Sequence, residues 1–148
     1  MTDENELRLG EVAVALPPAS DAGVYFIGVI HTPWRVRGEC PKRGSLDDGP
    51  VCSIVVDERW LQALTDIGDH PRVQVLYWMH RARRDLVLQT PIRTGQTTGS
   101  FALRSPVRPN PIASSVVALV GIEGTTLHVR GLDCLDGTPL IDLKPDRK

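Results

Sequence analysis

Ile112-Ala113-Ser114-Ser115-Val116-Val117-Ala118-Leu119-Val120-Gly121-Ile122-Glu123-Gly124-Thr125-Thr126-Leu127-His128-Val129-Arg130-Gly131-Leu132 reads as two β-strands joined by a tight turn. The first half, Ile112 to Ile122, is rich in Val, whose branched side chains are stiff and pack well on a pleated surface. The second half, Thr125 to Leu132, alternates apolar and polar residues, as a half-buried strand does. Gly121-Ile122-Glu123-Gly124 between them looks like a hairpin.

Working outward, similar short runs recur along the chain. Val24 to Ile30 reads as a first core strand, ended by Thr32-Pro33, and Val51 to Val56 as a second. Asp57 can cap a short helix over Glu58–Ile67, with Gly68 closing it. Val73 to Met79 is apolar on both faces and reads as a central strand. Leu86-Val87-Leu88 and Pro91-Ile92 suggest another, after a charged connection at Arg81 to Asp85. Phe101 to Leu103 begins a further strand, and Leu140 to Leu143 supplies the last. About seven short strands, with one or two short helices, predict an all-β fold: a small, mostly antiparallel β-barrel or a sandwich. No Gly-x-Gly-x-x-Gly follows a strand, which argues against a doubly wound nucleotide-binding sheet.

The 148 residues fit one domain, with residues 1–22 as a flexible arm and residues 23–148 as the barrel. The arm is acidic and then Pro-rich at Pro17-Pro18, unlike a secretory signal. No apolar run reaches the roughly 20 residues of a membrane-spanning helix, so a cytoplasmic location without membrane contact is expected. Cys40, Cys52 and Cys134 are odd in number and widely spaced, so neither a disulfide framework nor a metal site is expected. Net charge is −1, but residues 31–108 carry eleven Arg and one Lys against eight acids. Such a basic middle can meet RNA or remain a solvated surface. Residues 34–50 form a long polar loop of a length usually reserved for function.

Two segments carry chemistry. In Arg104-Ser105-Pro106-Val107-Arg108-Pro109-Asn110-Pro111-Ile112, three prolines remove backbone donors and push the residues before them into extended conformations. The segment is a stiff ribbon in which Arg104, Arg108 and Asn110 share one parity, so they can project to one side. It is either a binding surface or a proline-stiffened edge. In Gly131-Leu132-Asp133-Cys134-Leu135-Asp136-Gly137-Thr138-Pro139, Asp136-Gly137 is a turn dipeptide, and the carboxylates of Asp133 and Asp136 lie on either side of Leu135, close to it. They can accept hydrogen bonds from a ribose diol or offset a sulfonium, or Asp136 can simply cap its own turn.

Gly99 to Ile112 followed by Gly131 to Pro145 resembles the paired signature of the TsaA-like family. Gly28-Val29-Ile30-His31-Thr32-Pro33 resembles that family's opening strand, and Leu76-Tyr77-Trp78-Met79-His80 its central strand. The resemblance implies a small β-barrel that forms a homodimer and binds S-adenosylmethionine near the subunit interface. It also implies methylation of an exocyclic amine of threonylcarbamoyl-adenosine, at adenine N6, beside the tRNA anticodon. By matched position it implies cofactor contacts from Pro41, Lys42 and Arg43 in the loop, His80 and Arg81 after the central strand, Arg104, Ser114, and Asp133, Cys134, Leu135 and Asp136. Arg108 and Asn110 are the candidate substrate contacts.

Sulfonium methyl transfer needs mainly alignment and exclusion of water. A general base can help, and His80 is the candidate catalytic residue. The chain departs from the family pattern at Ala113, at Asp146, at His70-Pro71-Arg72 and at Cys40-Pro41-Lys42, and the second domain of larger members is not expected. These departures leave two further expectations: methylation of a small molecule, or a module that binds S-adenosylmethionine or RNA without turnover.

Overall fold

Strands form where branched and aromatic residues alternate, and one face of each row is buried. A computed structural model describes residues 6–147. Its strands are β1 Val12–Ala13, β2 Gly28–His31, β3 Cys52–Val56, β4 Arg72–Trp78, β5 Leu86–Gln89, β6 Thr98–Gly99, β7 Ile112–Glu123, β8 Thr126–Arg130 and β9 Thr138–Pro145. The chain forms two compact units. One holds residues up to Gly23 together with Met79–Ile112, the other Val24–Trp78 and Ala113–Lys148. Residues 1–5 of the expected arm, and Lys148, lie outside the described residues.

The second unit contains a closed barrel in the order β2-β3-β8-β7-β4-β9. Closure removes the exposed strand edges that invite aggregation. In β4, Val73, Val75 and Tyr77 point inward and alternate with half-buried residues. Ile30, Ile54, Leu127, Val129, Val117 and Leu140 complete the core with no exposed surface. Each contributes roughly 1.5–3 kcal/mol by leaving water.

The opening hairpin is real, with its turn two residues further on. Glu123 pairs with Thr126, leaving Gly124-Thr125 as the turn, and Gly124 takes φ +60°. Gly121 lies within β7, where the register slips between Leu119 and Gly121. A glycine inside a strand often marks such a bulge.

Other boundaries differ for local reasons. The first strand starts at Gly28, and Tyr25 is 79% exposed. The helix expected over Glu58–Ile67 is a 3-10 segment, Glu58–Leu64, with the Asp57 carboxylate accepting from Arg59 N at 3.0 Å. It ends before Gly68 because Asp66 takes the left-handed turn, φ +70°. The four described helices are all short 3-10 segments, and none is long and apolar enough to cross a membrane.

The first unit is a three-stranded sheet, β1-β5-β6. Residues expected to be a loose arm are tied down here. Val12 pairs with Leu88, Val14 N donates to Asp85 O, and Glu11 accepts from Thr90 N at 2.9 Å. β5 ends at Gln89, so Pro91-Ile92 is not strand. Ser100–Ala102 is a 3-10 turn rather than the start of a strand, because Ser100 turns inward and donates to Leu86 O at 2.7 Å.

The proline ribbon lies in this unit, and its alternate carbonyls are stapled from one side. Arg108 donates to Leu103 O and Ser105 O, each at 2.9 Å. Gln89 donates to Val107 O at 2.6 Å, Arg84 to Pro109 O at 2.6 Å, and Met79 N to Pro111 O at 2.8 Å. Extended backbone without strand partners must satisfy its acceptors in this way. Arg108 therefore folds back onto the ribbon, and Asn110 Oδ1 accepts from Arg84 at 3.3 Å. The expected common projection of Arg104, Arg108 and Asn110 does not occur, because two of the three are spent on holding the ribbon.

Candidate functional site

The segment between β8 and β9 is fixed by a series of short bonds to the end of β2. Asp136 N donates to Trp34 O at 2.7 Å and Gly137 N to Ile30 O at 2.8 Å. Thr32 Oγ1 donates to Cys134 O at 2.8 Å, and Thr138 Oγ1 to Leu135 O at 2.7 Å. Buried Leu132 and Cys134 root the segment on either side of Asp133. Burial is the main cause that pushes the Cys134 thiol up to about 12, so it packs as a neutral group.

Both carboxylates are oriented. Asp136 Oδ1 accepts from Thr32 N at 3.1 Å and lies 3.2 Å from His31 Nδ1. Asp133 Oδ1 accepts from the Tyr77 hydroxyl at 2.9 Å, and Tyr77 Oη lies 2.8 Å from Ser115 Oγ. Burial, and then the Asp133 charge, push the Tyr77 hydroxyl far above its ordinary value. It therefore keeps its single proton, which is donated to Asp133, and Ser115 donates to Tyr77. Hydrogen bonds chained in this way strengthen one another.

The long loop reaches the same place. Gly44 packs backbone to backbone on Gly131, so closely that an added Cβ would collide with the Gly131 carbonyl. Cys40 feels burial and then the Asp133 charge, both raising its thiol. Pro41, Lys42 and Arg43 lie between these two anchors. Lys42 and Arg43 are exposed and make no hydrogen bond or ion pair with a described residue.

The residues named from the sequence thus separate. Pro41, Lys42, Arg43, Asp133, Cys134, Leu135 and Asp136 gather in the second unit. Ser114 is there too, but it accepts from Gln74 Nε2 at 2.9 Å. Its neighbour Ser115 joins the Tyr77–Asp133 chain, since successive strand residues face opposite sides. His80, Arg81 and Arg104 belong to the first unit with Arg108 and Asn110. All three are exposed and engage no described residue.

Sequence pattern alone does not mark Tyr77, Ser115, His31 and Thr32 as site residues. Tyr77 carried a usable signal: it shares parity with Val73 and Val75, and a hydroxyl in a buried row needs a partner.

Two carboxylates on a pinned turn, with unpaired cations in the adjoining loop, suit a ligand that carries both charges and a diol. The described residues contain no cluster able to hold a metal ion.

The family model described as the tRNA-methyltransferase O N-terminal domain matches residues 29–147. The "Probable S-adenosyl-L-methionine-binding protein VirR" of Rhizobium radiobacter is 50% identical over 141 residues, covering 95% of this chain and 80% of that one. The mouse "tRNA (adenine(37)-N6)-methyltransferase" is 34% identical, covering 93% of this chain and 36% of its own. A crystal structure of TrmO from Pseudomonas aeruginosa matches with a TM-score of 0.70 and 29% identity, over 86% of this chain and 56% of that one.

Proposed function

Because this chain belongs to the family of the tRNA-methyltransferase O N-terminal domain, we propose that it is an S-adenosylmethionine-dependent methyltransferase acting on an adenine N6 amine of tRNA, at the threonylcarbamoyl-adenosine beside the anticodon. The observation that carries this reading is the pair Asp133 and Asp136 on a turn fixed at both ends. S-adenosylmethionine offers a ribose diol, an ammonium and a sulfonium, all of which a carboxylate pair favours, and a carboxylate, which Lys42 and Arg43 favour. The donor set therefore fits the cofactor. Asp133 and Asp136 would hold it, with the backbone around Cys134 and Leu135.

When bound, the cofactor supplies a methyl group already activated by its sulfonium. The protein's own task is orientation. Tyr77 and Ser115 keep the Asp133 carboxylate aimed, and Thr32 N does the same for Asp136. Acceptors held without rearrangement cost little entropy on binding. His80 is exposed and unengaged, which suits a group that takes the amine's proton to solvent. Arg108 and Asn110 act on the acceptor indirectly, by keeping the ribbon straight.

A homodimer in the cytoplasm completes the proposal. It rests on the family to which the chain belongs. Calorimetric titration with S-adenosylmethionine tests the cofactor assignment. Binding by the wild type that is lost in Asp136→Ala supports it, and a flat wild-type titration rejects it.

A further inference from the structure

The structure assigns a second role to the β5–β6 hairpin and the turn after it: we infer that this part of the first unit grips single-stranded RNA, with Phe101 as a base-stacking platform and Arg93 as a phosphate contact. The inference rests on the reading of the acceptor as tRNA, and it names the surface that would hold it.

Three observations carry it. First, Phe101 and Ile92 are each 81% exposed, so both present apolar surface to solvent. Second, both ride on backbone that cannot easily fold away. Phe101 sits in the turn anchored by Ser100, which donates to Leu86 O at 2.7 Å and accepts from Gln89 at 2.7 Å. Ile92 and Arg93 sit in a tight turn closed by Thr94 N and Gly95 N on Pro91 O, with Gly95 at φ +63°. Third, the unit is net basic. Its described residues hold seven arginines against Glu6, Glu11, Asp21 and Asp85, with Arg83 on Asp85 at 2.8 Å and Glu11 held by the backbone donors at Arg8 and Thr90. Arg81, Arg93 and Arg104 engage no described residue.

A rigidly mounted aromatic on a hairpin that also carries unengaged guanidiniums matches the chemistry of single-stranded nucleic acid, whose bases stack on rings and whose phosphates need cations. A second copy of the chain is the poorer occupant. Two such faces meeting across a two-fold axis would oppose like charges.

The test is fluorescence anisotropy with a short labelled single-stranded RNA, a matching duplex and a salt series, with donor binding and mass measured on the same samples. Phe101→Ala is expected to weaken single-strand binding about ten-fold while leaving the salt slope, donor binding and assembly state unchanged. Phe101→Trp is expected to restore affinity. Arg93→Ala should reduce the salt slope by roughly 0.7, the value for one phosphate on a single strand. Unchanged RNA affinity in Phe101→Ala overturns the inference. So does a Phe101→Ala variant whose only effect is to split a dimer. RNA binding by Phe101 in a protein that binds no donor would support the surface and reject the methyltransferase reading. Donor binding with no RNA affinity in the wild type would reject the surface and leave the cofactor site standing.

Discussion

The Tyr77 hydroxyl, rooted in the barrel core and 3% exposed, donates to Asp133 Oδ1 at 2.9 Å. A residue of the central strand thereby aims a carboxylate on a loop 56 positions away in sequence. Removing only that hydroxyl isolates its role. Tyr77→Phe keeps the ring in the core but loses a hydrogen bond to a charged group, a loss of about 2 kcal/mol. We expect a lower thermal midpoint and roughly ten-fold weaker S-adenosylmethionine binding by calorimetry. Equal donor affinity in the variant would show that Asp133 does not depend on Tyr77.

The Gly44–Gly131 contact offers a second test. A Cβ at position 44 would run into the Gly131 carbonyl, whereas a Cβ at position 38 meets nothing within 4 Å. Gly44→Ala should therefore cost about 2 kcal/mol and weaken donor binding, because the loop carrying Lys42 and Arg43 must lift off. Gly38→Ala should change stability by less than about 0.5 kcal/mol. Chemical denaturation of the two variants side by side distinguishes a true backbone contact from a general intolerance of the loop.

These two pairs show what was legible in the sequence and what was not. Short apolar, β-branched runs placed β3, β4, β7 and β9 and alternation placed β8, because each strand of a closed barrel turns part of one face to the core. The Asp133–Asp136 turn was visible through its turn dipeptide. Tyr77, Ser115 and Gly44 were not, since each acquires its meaning from a partner distant in the chain. The arm was misread for the same reason: Glu11 looks like one more exposed acid until Thr90 N is placed on its carboxylate. Arg108 was read by backbone parity, which ignores a long side chain that folds back to the carbonyls at Leu103 and Ser105.

Glu11 also carries a pH dependence. Burial raises its carboxyl, but the backbone donors at Arg8 and Thr90 outweigh that and hold it below its ordinary 4.5. A carboxyl lower in the folded than in the unfolded chain contributes stability above its unfolded value and loses it as pH falls further. Amide exchange at Val12 and Thr90 should accelerate, relative to the barrel strands, as pH drops below about 4.5. Glu11→Gln should abolish that difference.

Cys134 behaves in the opposite sense. Its thiol is pushed from 9.0 up to about 12, so the folded protein is favoured below 9 and loses this contribution as pH rises toward 12. Iodoacetamide at pH 8.5 should leave Cys134 unmodified in the native protein and label it in urea. Mass mapping of the peptides reads the outcome, and rapid native labelling would contradict the buried placement.

The central claim is that the pinned Asp133–Asp136 turn holds a methyl donor for transfer to tRNA adenine. Transfer of a labelled methyl group from S-adenosylmethionine into bulk tRNA, followed by nucleoside digestion and mass analysis, tests it most directly. The expected result is label on N6 of a threonylcarbamoylated adenosine with the wild type, and at least a hundred-fold less with folded Asp133→Ala. Wild-type protein saturated with donor that leaves tRNA unlabelled, or an Asp133→Ala variant that labels it equally well, would contradict the claim.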